Sequence, residues 1–167
     1  GVDLCVATPH CVIHSREDII AFTDKRGRRY RELEEELEED KSQYPKLKLG
    51  AEVYLDNDIS KYEDLKSLCI GDSPYMLLEI PHHIKLTSVS EWVYNLTLKG
   101  INPIIAHIDR YDNWKEIISE ADSEKIVFQV NASRFLSFRG RRFISKLCKY
   151  KASFIVSSDM HNMTSRR

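Results

Sequence analysis

Six side chains able to bind metal or move protons punctuate this sequence: His10, Glu52, Glu79, His107, Asp159 and His161. Each falls where an apolar run ends or is interrupted. His10 follows "VDLCVAT", Glu52 breaks "LKLGAEVYL", Glu79 nearly ends "YMLLEI", His107 nearly ends "NPIIAHI", and Asp159 and His161 follow "SFIVSS". Gln129 and Asn131 close a further run, "KIVFQVNA". Singly, each has an ordinary role. A histidine at a strand end hydrogen-bonds within a turn, and Asp159 caps one. Alternation puts Leu47, Leu49, Ala51, Val53 and Leu55 on one face and leaves Glu52 on the other. Glu79 in "MLLEIP" has no such outlet, and an unpaired carboxylate in an apolar run is costly to bury. Together, three histidines and three carboxylates without a thiolate form a mixed N/O ligand set. Such a set suits manganese, iron or zinc, and shared carboxylates bridge two ions. Bound metal lowers the pKa of water to about 7 and neutralises phosphate oxygens, so the chemistry indicated is hydrolysis.

Two arginines stand close to these residues. Arg110 lies three positions past His107, and Arg166 lies five past His161. Alone, each reads as an exposed charge, but a guanidinium fork matches a phosphoryl group better than an ammonium does. A thiol route to phosphate hydrolysis is excluded, because it needs Cys, five residues and then Arg. Cys11 reaches Arg16 one position too early, and Cys5, Cys69 and Cys148 have no such partner. No Cys-x-x-Cys pair occurs, and the cysteines read as reduced, mostly buried thiols of a cytosolic protein.

The elements that must position these residues follow from periodicity. Six apolar runs read as strands. Between them lie five helix candidates. The first opens at Ser15 with Asp18 three residues on, a capping-box pattern, and continues through "ELEEELEED" with a break expected at Gly27. That acidic run reads as a solvated face with Leu33 and Leu37 turned inward. The second spans about 59–68 with Ile59, Leu65 and Leu68 inward. The third, "SVSEWVYNLTLKG", buries Val89, Trp92, Val93 and Leu96 and stops at Gly100. Trp114, Ile117 and Ile118 mark the fourth, and Phe138, Phe143, Ile144 and Leu147 the fifth. Strands alternating with helices imply parallel pairing, hence an α/β fold, either a β/α barrel or a doubly wound sheet. Active sites in such folds gather at the carboxyl ends of the strands.

The totals bound the rest. With 167 residues, the chain supports one domain with one core, and no internal repeat or linker divides it. Against 25 Lys and Arg stand 26 Asp and Glu, and the net charge of −1 makes no electrostatic case for nucleic acid or an acidic membrane as the partner. No apolar stretch reaches the ~20 residues of a membrane span, and the start has no signal-peptide character. A cytoplasmic location is expected, and the oligomeric state is left open.

The segments "VATPH", "GAEVY", "LLEIP", "PIIAHIDRYD", "QVNAS" and "VSSDMHN", in this order, resemble the polymerase and histidinol phosphatase (PHP) superfamily, most closely its bacterial tyrosine phosphatases of capsule and exopolysaccharide loci. The resemblance runs over nearly the whole chain, and "AHIDRYD" and "SSDMHN" are its specific pieces. It implies a distorted β/α barrel with a cluster of metal ions, commonly manganese, acting on phosphotyrosines of an autophosphorylating kinase. On that basis His10, Glu52, Glu79, His107, Asp159 and His161 are expected metal ligands, and Arg110 and Arg166 are expected to grip phosphate, with Arg167 the alternative to Arg166. The family's first strand carries Asp-x-His-x-His, which this sequence lacks. The expectation is therefore one PHP-type phosphatase domain over residues 1–167, present as a fragment with about six strands. Alternatives are another phosphoesterase of the superfamily, such as one acting on histidinol phosphate, and a catalytically impaired metal- or phosphate-binding domain.

Overall fold

The protein was analysed as a computed structural model that describes residues 2–37, 44–120 and 126–161. The strands are β1 (Leu4–Ala7), β2 (His10–Val12), β3 (Lys46–Leu49), β4 (Glu52–Tyr54), β5 (Tyr75–Glu79), β6 (Asn102–Ile105), β7 (Val127–Asn131) and β8 (Ser153–Ser157). The α-helices are α1 (Arg16–Glu36), α2 (Leu86–Leu98), α3 (Trp114–Glu120) and α4 (Phe138–Lys149). A six-stranded sheet runs in the order β2-β4-β5-β6-β7-β8, and β1 pairs with β3 separately. Every ladder is parallel, as alternating strands and helices require. Among the described residues the sheet is not closed by a ladder between β2 and β8. The two outer strands nevertheless meet at one end, where His10 and His161 touch.

Six apolar runs read as strands, and eight strands form: "LKLGAEVYL" divides into β3 and β4, and β2 follows the first run as a strand of its own. Ala7 pairs with Leu49 and His10 with Glu52, so β1–β3 and β2–β4 keep one register across a break. The strands are interrupted at Thr8–Pro9 and Gly50–Ala51, while Gly50 N–H still donates to Ala7 O at 2.8 Å and Glu52 N–H to Pro9 O at 3.0 Å. A Cβ on Gly50 would meet Ile70 Cγ1 and Thr8 Cγ2, each at 3.1 Å, so this point is tightly packed.

α1 begins with the expected capping box. Ser15 Oγ accepts the Asp18 N–H at 3.2 Å, and Asp18 Oδ2 accepts the Ser15 N–H at 2.8 Å. The helix does not break at Gly27. One glycine costs a helix only ~1 kcal/mol, and the neighbouring Arg26 ties the helix down by donating to Gly50 O and Ser67 O, both at 2.6 Å. Leu33 is exposed rather than inward, so the acidic end of α1 is solvated nearly all round. The expected second helix is instead two short 3-10 turns, Ile59–Lys61 and Asp64–Leu68, which still bury Ile59, Leu65 and Leu68. α2 buries Val89, Val93 and Leu96 and ends before Gly100, which takes a positive φ of 76°. In α4, Leu147 is buried and Phe143 and Ile144 are partly covered, but Phe138 is exposed.

The core is one continuous cluster between the sheet and its helices, including Val53, Leu55, Met76, Leu78, Ile105 and Val130. All four cysteines are free: Cys11 and Cys69 are buried, whereas Cys5 and Cys148 are exposed, contrary to the expectation for those two. Among the described residues, no helix is long and apolar enough to cross a membrane.

Candidate functional site

Parallel register brings the first candidate ligands together. His10 on β2 is directly opposite Glu52 on β4. Glu52 is in turn opposite Leu77 on β5, so Glu79 lies two residues further along on the same face. One ligand atom from each of His10, Glu52 and Glu79 can be chosen so that all lie within 4.8 Å of one another. These three residues thus converge at the carboxyl ends of adjacent strands.

His107 enters from the next strand through a bend. β6 stops at Ile105, and His107 takes the left-handed conformation with φ 33° and ψ 51°. That conformation costs a non-glycine residue about 1–2 kcal/mol, and it is held by Gln129 Oε1, which accepts the His107 N–H, and by the Arg110 N–H, which donates to His107 O at 2.8 Å. The turn aims the buried imidazole at both carboxylates, with Nε2 3.1 Å from Glu52 Oε1 and 3.6 Å from Glu79 Oε1. Asp159 is likewise left-handed, with φ 48°, at the exit of β8. Strained backbone of this kind collects at functional sites.

From there the contacts run on without a gap. His10 Nδ1 lies 3.9 Å from Glu79 Oε2, and His10 Nε2 lies 3.1 Å from His161 Nε2. His161 Nδ1 is 3.5 Å from Asp159 Oδ1 and 3.0 Å from Asp159 O. Asp159 in turn pairs with the guanidinium of Arg110. Seven of the eight residues singled out by the sequence therefore form one connected group. The eighth, Arg166, and its alternative Arg167 lie outside the described residues. Burial grades along the group: the side chains of Glu52 and His107 are 7% and 5% exposed, whereas His10 is 57% exposed. The group has a buried floor and an open mouth.

The electrostatics fit a cation. Burial pushes the Glu52 carboxyl up, but the hydrogen bond and charge of His107, with the charges of His10 and His161, outweigh it and hold the group below the usual carboxylate range. Two carboxylates then face each other's partners around His107, whose buried Nδ1 has no hydrogen-bond partner among the described residues. Two imidazole nitrogens 3.1 Å apart, as in His10 and His161, attract only if one carries the proton. A shared cation removes that restriction. The donors, imidazole nitrogens and carboxylate oxygens, match a borderline or hard divalent metal.

Three supporting residues escaped the sequence reading of the site. Tyr111 is buried, its ring lies 5.8 Å from that of His107, and its hydroxyl accepts the Ile80 N–H at 3.0 Å, next to Glu79. Burial pushes its phenol far up, so it is neutral. Asp109 Oδ1 accepts the Asn131 N–H at 2.9 Å, while Oδ2 accepts from Asn131 Nδ2 at 3.1 Å and Arg134 Nε at 2.7 Å. Gln129, read only as a strand end, holds His107 and also donates to Ser157 Oγ at 2.8 Å. Their only sequence signal is proximity: Asp109 and Tyr111 flank Arg110 in "AHIDRYD". A separate apolar cleft by α2 and α3, lined by Val89, Val93 and Ile117, gathers none of the site's residues.

Comparison with known proteins supplies the lineage. The tyrosine-protein phosphatase CpsB of Streptococcus pneumoniae is 30% identical over 133 residues, which is 70% of this chain and 53% of that protein. The tyrosine-protein phosphatase CpsB of Streptococcus agalactiae is 25% identical and matches 99% of this chain and 72% of its own length. The chain thus spans about half of one relative and under three quarters of the other. Crystal structures of YwqE from Bacillus subtilis and CpsB from S. pneumoniae, described as unique metal-dependent tyrosine phosphatases, share the fold with a TM-score of 0.68, 23% identity and coverage of 98% of this chain and 68% of theirs. A family model of capsular polysaccharide synthesis proteins, CpsB/CapC, matches residues 1–167, and with its full length inside that match this chain belongs to the CpsB/CapC family.

Proposed function

We propose that this chain forms the metal-dependent hydrolytic site of a protein-tyrosine phosphatase, with manganese as its metal and a phosphotyrosine-bearing kinase of capsule or exopolysaccharide synthesis as its substrate. The observation that carries the reading is the convergence of His10, Glu52 and Glu79 within 4.8 Å at the strand ends. The tyrosine phosphatase relatives supply the substrate class. Four free cysteines are in keeping with a reducing, cytoplasmic setting.

In this reading His10, Glu52, Glu79, His107, Asp159 and His161 hold the metal. A metal held there would supply an activated water at neutral pH and neutralise phosphoryl oxygens. The chain's own residues do the rest. Glu52, held ionised beside His107, keeps the buried floor negative. Asp159 tethers the Arg110 guanidinium at the rim, where its remaining N–H groups are placed to bind a phosphate. Tyr111 keeps the His107 ring oriented and the end of β5 fixed. Exposed His10 marks the side from which a phosphorylated tyrosine enters.

The test is hydrolysis of a phosphotyrosine peptide by the purified chain. EDTA should abolish the reaction and manganese should restore it, whereas iodoacetamide should leave it intact. Thiol chemistry is not expected, because burial pushes Cys11 up to about 11 and leaves it protonated. Loss of activity to iodoacetamide with survival in EDTA would overturn the proposal.

A further inference from the structure

One surface is charged out of proportion to the rest of the chain. From Ser133 to Lys151 there are seven Lys and Arg and no Asp or Glu, in a protein whose net charge is −1. Along α4, Arg139, Arg142, Lys146 and Lys149 recur at spacings of three and four, so they share one face, and all are exposed. None of these four is in a salt bridge with a described carboxylate. Phe143, Ile144 and Leu147 turn the opposite way, toward the core. The cationic face ends in apolar tips: Leu136 is 87% and Phe138 75% exposed.

We propose that this face of α4, with Leu136 and Phe138, docks the protein peripherally on an anionic lipid bilayer. Charge complementarity selects an anionic partner, and the apolar tips select a lipid surface among anionic partners. A bilayer takes the cations at its headgroups and the two large apolar side chains at the acyl boundary at once. A purely charged polyanion such as polyglutamate would neutralise the cations and leave Leu136 and Phe138 in water.

The fold ties this face to the candidate site. The 3-10 turn Ala132–Leu136 carries Arg134, which is ion-paired with Asp109 at 2.7 Å, one residue from Arg110. Gly140 in the first turn of α4 sits against Arg134 O so closely that no Cβ would fit. Arg134 therefore joins the segment bearing the docking tips to the loop bearing His107 and Arg110.

The experiment is vesicle co-sedimentation of the full chain with phosphatidylcholine alone and with equal parts phosphatidylcholine and phosphatidylglycerol. Binding only to the anionic vesicles, weakened by added salt, is expected. Each exposed cation near such a surface is worth ~1 kcal/mol, about fivefold in affinity. Replacing Arg142, Lys146 and Lys149 together by Ala should weaken binding about 100-fold, and Phe138→Ala should weaken it without changing its salt dependence. Thermal unfolding of each variant confirms that it is folded. A soluble polyglutamate and an RNA oligomer serve as competing polyanions. Absence of binding to anionic vesicles, equal binding to neutral ones, a folded triple variant that binds as the parent does, or preference for either competitor over vesicles would each overturn the proposal.

Discussion

Arg110 and Glu52 carry the sharpest tests at the scale of single residues. Arg110 offers a planar fork, one end of which is held by Asp159. Lys keeps the charge but loses the fork, and a hydrogen bond to a charged group is worth about 1.5–3 kcal/mol. Arg110→Lys should therefore lower kcat/KM on a phosphotyrosine peptide by about 10- to 100-fold while metal content stays as in the parent. An unchanged rate would make Arg110 a bystander. Glu52→Gln removes a buried anion 3.1 Å from His107 Nε2. The neutral amide is a poor ligand, so manganese affinity measured by titration should fall at least ~10-fold. Retained affinity would move the metal elsewhere.

A strand break and a turn decide the site at the scale of elements. The break between β1–β3 and β2–β4 keeps register, which sets His10 beside Glu52. The turn after β6 reverses the chain at His107 and is stitched to the end of β7 through Asp109, Asn131 and Arg134. Burial pushes the Asp109 carboxyl up, but the Asn131 N–H, Arg134 and the Asn131 amide outweigh it and hold it below its ordinary value. A carboxylate whose folded pKa is depressed binds its proton less readily than in the unfolded chain. Its stabilisation is thus complete above the unfolded value of about 3.9 and is lost as the pH falls through the lower folded value. Asp109→Asn should cost about 2–3 kcal/mol at neutral pH. The loss should be smaller when unfolding is measured in acid, where the parent's carboxylate is itself becoming protonated. A deficit independent of pH would show that Asp109 acts through shape alone.

For the molecule as a whole, the proposed ligands come from three strands, β2, β4 and β5, and from the segments that follow β6 and β8, so a bound metal links elements distant in sequence. Unfolding separates them, and a ligand that binds only the folded state stabilises it by mass action. Manganese at about 100 times its dissociation constant should add ~2.7 kcal/mol, seen as a rise in Tm that EDTA reverses. The same addition to Glu52→Gln should give a smaller rise. Equal shifts in both would indicate surface binding unrelated to the site.

The sequence by itself determined the parallel α/β class, the cap of α1 at Ser15 and the polar residues at the strand ends, because each depends on neighbours a few positions apart. Periodicity of two and of three to four is a local property of the chain. It could not show that Gly50, where "LKLGAEVYL" divides, lies so close to Ile70 and Thr8 that a Cβ there would meet each at 3.1 Å. Nor could it show that α1 continues through Gly27, where Arg26 is anchored on Gly50 O and Ser67 O. Phe138, Phe143, Ile144 and Leu147 mark α4 alike, yet only the tertiary structure shows that Leu147 is buried while Phe138 is 75% exposed. The roles of Gln129, Tyr111 and Asp109 belong to the tertiary structure alone. Their partners His107, Ile80 and Asn131 are 22 to 31 residues away, and only the stacking of parallel strands brings them within a hydrogen bond.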